Sequence, residues 1–105
     1  CHAMELLLVG DTIDALEARR VGLLNHVVTA DEVMSKAMSI ALKIAGNGPL
    51  AVQRVKQTVT RVSGMPLAEG YGLEDASKRI VMASEDAREG PRAFMEKRSP
   101  RFTGR

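Results

Sequence analysis

Between residues 93 and 102 the chain reads AFMEKRSPRF, which sets two of its three aromatic residues, Phe94 and Phe102, among Lys97, Arg98 and Arg101. An aromatic ring offers a flat apolar face, and an ammonium or guanidinium offers charge to a phosphate or carboxylate. Together they are the parts of an anion- or nucleotide-holding edge. The same residues also fit a solvated chain end, and composition leaves both readings open. From Arg88 to Arg105 there are six cations and two anions, whereas the whole chain carries a formal charge of only +2. Positive charge therefore collects in the tail.

Other residues capable of chemistry have simpler explanations. Asp14 could act as a base, but it precedes a short helical stretch, where its carboxylate would cap backbone N–H groups. The pairs Asp31-Glu32 and Glu85-Asp86 stand at expected helix starts, where the macrodipole favours negative charge. Cys1, His2 and His26 do not supply three or four metal ligands at suitable spacing. No G-x-S-x-G, G-x-G-x-x-G or P-loop pattern occurs. The six methionines are dispersed and read as core filler. No metal and no catalytic residue is assigned.

The elements that must position the tail are mostly helical. Residues up to Val9, with Met4, Leu7 and Leu8 at helical spacing, read as a helix closed by Gly10. The running start, which opens on Cys, suggests a piece of something longer. Next come a short extended piece at Thr12–Ile13, a helix from Ala15 to Arg20 and a strand from Leu23 to Val28. Thr29 and Glu32 spell a capping box before a helix to about Ala45. Gly46, Asn47 and Gly48 end that helix, and Pro49 opens one whose apolar positions Val52, Val55, Val59 and Val62 share a face.

Pro66 starts another helix with Leu67, Tyr71, Leu73, Ala76 and Ile80 on its buried side. Ser84 caps an acidic turn, Gly90 and Pro91 break the chain, and a last helix is expected from Pro91 to Lys97. A lone short strand cannot make a sheet. Its partners would then lie outside this chain.

At 105 residues the chain is one domain's worth at most, with a modest core. A lone cysteine closes no internal disulfide, which points to a reducing, cytoplasmic setting. No apolar run is long enough to span a membrane, and no leader pattern is visible. Base-stacking aromatics and a continuous basic face are lacking, which argues against a nucleic-acid partner.

Three segments carry a family pattern. AMELLLVGDTIDALEARRVGLLNHVV resembles the part of the crotonase superfamily, the enoyl-CoA hydratases and isomerases, in which a helix ending L-L-T-G precedes an Ala-x-x-Ala helix and G-L-V-N-x-V-V. Val9 stands where Thr is commoner, and Leu24 where Val is. GPLAVQRVK is similar to s-P-x-A-x-x-x-x-K, and SEDAREGPRAFMEKRSPRF to the closing s-E-D-x-x-E-G-x-x-A-F-x-x-K-R-x-P-x-F. The three lie in the right order and are spread along nearly the whole chain.

The resemblance implies the mainly α, C-terminal helical segment of a crotonase (ClpP/crotonase-like α/β) fold with one short extended section. Residues 1–29 would finish the α/β body, and 30–105 would form a region for oligomerisation and for covering the coenzyme A site. The substrate would be an acyl-CoA thioester, with coenzyme A present as part of the substrate and no covalently bound cofactor. The assembly would be a homotrimer or hexamer, with neither nucleic acid nor membrane as partner. Phe94 and Lys97 would approach the adenine and phosphates of coenzyme A, Arg98 would make an ion pair or carbonyl contact, and Phe102 would be an apolar anchor. Glu85 and Glu89 would cap or pair, and Lys56 would be solvated or face the trimer. The oxyanion hole and acid/base glutamates would lie upstream, leaving this segment inactive alone.

Overall fold

A computed structural model describes residues 2–105, and its regular elements are helical: α1 (His2–Val9), α2 (Ala15–Arg20), a 3-10 turn (Ala30–Glu32), α3 (Val33–Ala45), α4 (Pro49–Val62), α5 (Leu67–Met82) and α6 (Asp86–Met95). Contacts divide the chain into two compact units, Cys1–Met38 and Ser39–Arg105.

In the first unit local capping accounts for the boundaries. Gly10, at φ 78°, closes α1 with its N–H on the Leu6 carbonyl at 3.1 Å. Asp14 Oδ1 accepts the Glu17 N–H at 2.8 Å, so the acid before α2 is a cap. At the other end the Leu23 N–H reaches the Ala18 carbonyl (2.8 Å) and the Gly22 N–H reaches that of Arg19 (3.1 Å). This double closure needs a left-handed residue at its centre, and Gly22 supplies it at φ 83°. The capping box also forms, with Glu32 accepting the Thr29 N–H (3.2 Å) and hydroxyl (2.7 Å).

The strand expected at Leu23–Val28 is not formed. These residues and Thr12–Ile13 belong to bends and irregular backbone, and no strand occurs among the described residues. The physical reason is the absence of any segment here able to supply the second half of a ladder.

The second unit is built on the α4–α5 hairpin. The two helices pack side by side, with the Thr58 and Ser77 hydroxyls in a hydrogen bond at 2.9 Å. Along the hairpin runs an open apolar groove of about 570 Å³, whose lining includes Val55, Val59, Val62, Tyr71 and Val81. Of the side expected to be buried, Leu67, Tyr71, Ala76 and Ile80 are exposed and only Leu73 is half-buried. The apolar stripe has the right helical spacing, but no described element covers it.

The last helix also departs from expectation. It starts at Asp86, not Pro91, and carries Pro91 inside it. Proline's fixed φ suits a helix, but at this interior position an N–H bond is lost and the ring crowds the carbonyl one turn back, so neighbouring contacts must hold the helix. The start is secured by the Ser84 hydroxyl, which accepts the Ala87 N–H at 3.2 Å. Gly90 also lies inside the helix and does not break it, and a Cβ there would come within 3.9 Å of the Phe102 ring.

Beyond α6 the chain returns along the helix to its beginning. Asp86, only 8% exposed, accepts the Thr103 N–H on Oδ1 (2.7 Å) and the Gly104 N–H on Oδ2 (2.8 Å). In return the Glu85 and Asp86 N–H groups donate to the Arg105 carbonyl at 2.6 and 3.2 Å. A Cβ at Gly48 would sit 3.6 Å from Asp86 and 3.7 Å from Phe102, and one at Gly104 would meet Pro49 at 3.2 Å. The tail, the head of α6 and the head of α4 thus share one packing point.

Replacing Asp86 by Ala leaves two amides without their charged acceptor. We expect a local loss of about 2 kcal/mol, read as roughly thirtyfold faster hydrogen exchange at Thr103 and Gly104. Unchanged exchange at both amides would show that other contacts hold the tail.

Candidate functional site

The tail residues that could hold an anion gather at the C-terminal end of α6. Ala93, 1% exposed, is the helix's inward point there. One residue on, the Phe94 side chain is 82% exposed. Its carbonyl accepts the Lys97 N–H at 3.2 Å, and the Arg98 N–H closes on the Ala93 carbonyl at 3.0 Å. Phe94 and Lys97 are thereby brought to one helix end, both open to solvent.

Arg98 has a different task. Its guanidinium forks onto Glu89, with Nη2 to Oε2 at 3.0 Å and Nη1 to Oε1, and its Nε donates to Glu96 Oε2 at 2.6 Å. Nη1 also reaches the Ser99 carbonyl at 3.2 Å. Both the ion pair and the carbonyl contact expected of it are therefore present. Glu89 Oε1 additionally accepts the Arg101 N–H at 2.8 Å, and Glu96 takes a second cation in Arg92 at 2.9 Å. Phe102, half-buried against Gly48 and Gly90, is the apolar anchor.

Charge at this helix end is unevenly spent. Arg92 and Arg98 are paired, whereas Lys97 forms no ion pair with any described residue. The Arg98 hydrogen bonds, then the Arg101 N–H, pull the Glu89 carboxyl down to about 2. Those on Glu96 from Arg98, then Arg92, lower that carboxyl too, and the same pairs raise Arg98. The arrangement leaves one ammonium without an ion pair at the helix end that carries an exposed ring, between neighbours that are ion-paired.

Sequence reasoning placed Phe94 and Lys97 in one motif but missed two parts of the site. One is the left-handed backbone of Lys97, φ 52°. The other is Asp86, read as a helix-start charge but found holding the tail. Of the remaining candidates, Lys56 is exposed on α4, and Cys1 lies outside the described residues. No group of three or more His, Cys, Asp or Glu gathers at metal-binding distance among the described residues. No helix there is long and apolar enough to cross a membrane.

Because Glu89 is depressed in the folded chain, its contribution to stability is present above the ordinary carboxyl value of 4.5 and is lost as pH falls toward about 2. A carbon-detected NMR titration should therefore find Glu89 titrating far below the ordinary carboxyl value of 4.5. In Arg98→Ala the Glu89 midpoint should move back toward 4.5. Glu89 titrating normally in the unaltered chain would contradict the fork.

Comparison with known proteins adds the family. The model of the enoyl-CoA hydratase/isomerase family matches residues 1–105. Enoyl-CoA hydratase EchA19 of Mycobacterium tuberculosis is 43% identical over 103 residues, covering 98% of this chain and 39% of that protein. Carnitinyl-CoA dehydratase of Proteus mirabilis is likewise 43% identical, covering 96% and 40%. The crystal structure of an enoyl-CoA hydratase from Bacillus anthracis superposes with a TM-score of 0.95 at 38% identity, over 99% of this chain and 40% of that one. The chain thus spans about 40% of the length of such relatives, and its helices repeat a segment of their fold. With a family model along its whole length and relatives at this identity, the chain belongs to the enoyl-CoA hydratase/isomerase family.

Proposed function

We propose that these residues serve as the C-terminal part of an enzyme acting on acyl-CoA thioesters in the cytoplasm, with hydration of a 2-enoyl-CoA the leading reaction and double-bond isomerisation the next. The segment covers the coenzyme A site and contributes to a trimer, or to a hexamer of paired trimers. Coenzyme A enters as part of the substrate. The oxyanion donors and acid/base glutamates lie in the upstream body, so the 105 residues alone are inactive. The single observation that carries this reading is the exposed Phe94 ring one turn from the unpaired Lys97 ammonium, within a chain that matches the family along its whole length. The ring packs on adenine, and the ammonium meets phosphate as a point charge. The bound coenzyme A belongs mainly to a neighbouring subunit.

Crotonyl-CoA turnover by the isolated chain should be at background. In a chimera where the chain replaces the matching segment of a full-length relative, coenzyme A affinity should fall about tenfold on Lys97→Ala, and less steeply so as salt is raised. Hydratase-level turnover by the isolated chain would refute the assignment of chemistry, and an unaltered affinity would refute the ligand contact.

A second reading, a self-associating helical module without a coenzyme A role, is favoured by one observation, the exposed Val55 and Val59 on the open groove. Apolar patches beyond a few hundred Å² favour association. Light scattering on Val55→Lys and Val59→Lys, set against coenzyme A titration, separates the two. Loss of assembly with no coenzyme A binding in any form supports the module.

A further inference from the structure

Two helices of this chain end in the same backbone motif, with different residues at its centre. At the end of α2 the paired closures, Leu23 N–H to Ala18 and Gly22 N–H to Arg19, surround Gly22. At the end of α6 the matching closures, Arg98 N–H to Ala93 and Lys97 N–H to Phe94, surround Lys97. Both anchoring alanines are buried. Glycine takes the left-handed position freely, whereas a side chain there costs about 1 kcal/mol. Lys97 is the one described non-glycine residue with positive φ. The turn itself would be better served by glycine. What lysine adds is an ammonium, and no described residue pairs with it.

The residues on either side of Lys97 are held by charge. Glu96 is gripped by Arg92 and Arg98, and Arg98 by Glu89 and Glu96. Glu89 is 18% exposed and Arg98 34%, so this is a partly exposed network. Exposed pairs contribute only about 0–1 kcal/mol each. Their bidentate geometry adds more in direction than in stability.

We propose that Glu89 and Arg98 are positioning residues, which hold Lys97 in its left-handed conformation so that its ammonium faces a phosphate of bound coenzyme A. The inference rests on the coenzyme A reading above and adds the device that makes the contact precise. Strain at Lys97 is kept because the side chain it carries is used. The Glu89–Arg98 fork offsets that strain and fixes the direction in which the flexible stem leaves the backbone.

A double-mutant cycle on coenzyme A affinity tests this, in the 105-residue chain and in the chimera. Arg98→Lys keeps the charge but loses the fork. It should weaken coenzyme A binding about fivefold with Lys97 present, and less than about twofold in a Lys97→Gly background. Glu89→Gln should behave the same way. Lys97→Gly should keep or raise the melting midpoint while losing affinity, which a merely structural residue would not do. Dephospho-coenzyme A as a second probe shows whether the 3′-phosphate is the one met. Equal losses in both backgrounds, or Lys97→Gly binding as tightly as the unaltered chain, would overturn the positioning role. Absence of coenzyme A binding by the unaltered chain in both forms would overturn the contact reading, and the inference with it. Normal binding with no coupling would overturn the inference alone.

Discussion

Two carboxylates of α6, aimed at backbone N–H groups of the segment that follows, hold this half of the molecule in order. Asp86 receives Thr103 and Gly104, and Glu89 receives Arg101. Hydrogen bonds to an ionised acceptor are about twice as strong as neutral ones. That matters here because Ala93 is the one fully buried apolar residue described in the second unit. Apolar packing alone does not explain why the tail lies where it does. Once the carboxylates have drawn it back along the helix, Phe102 falls against Gly48 and Gly90, and Gly104 against Pro49. The head of α4 is joined to the same point. The placement of Phe94 and Lys97 at the opposite end of α6 then follows from a helix secured at its start by Ser84 and at its finish by the Arg98 closure.

What could be read in advance was local. Asp14 as the cap of Ala15–Arg20, the Thr29–Glu32 box and Pro49 at a helix start were all legible, because each cap involves residues three or four apart and acts without the rest of the fold. The strand at Leu23–Val28 failed for the opposite reason: a short run of residues shows what could pair, never the pairing. Pro91 misled because a breaker's effect depends on whether the surrounding turns hold, and here Ser84 and the returning tail hold them. Asp86 meets Thr103 across 17 positions, and Glu89 meets Arg98 across nine, beyond a turn that reverses the chain. No helical spacing rule reaches that far. The family resemblance named Phe94 and Lys97, but the left-handed backbone that sets Lys97 apart is visible only in coordinates.

The apolar stripe on α4 and α5 shows a related limit. Its periodicity marked the face only in part: Val55, Val59, Val62, Leu67 and Tyr71 line the open groove, whereas Val52, Leu73, Ala76 and Ile80 do not. Periodicity says that a face wants cover, not that cover is supplied. Relatives extend well beyond the span matched here, so the cover need not come from these 105 residues. The polar end of α6 is different in kind. Its order is generated by contacts within twenty residues, so it can be preformed whatever lies on the groove.

Range decides how such an end would act on an anion. With Glu89 and Glu96 occupied by Arg98 and Arg92, the uncompensated charge reduces to Lys97 and a few neighbouring guanidinium groups. At physiological ionic strength their field decays over about 8 Å. A phosphate would therefore be felt near contact and scarcely beyond, too late to steer its approach. Under those conditions the value of a cation lies in where it stands when the ligand arrives. A residue held in a strained conformation between two ion-paired neighbours suits that requirement better than a lysine free to wander on a frayed terminus, since less freedom remains to be lost on binding.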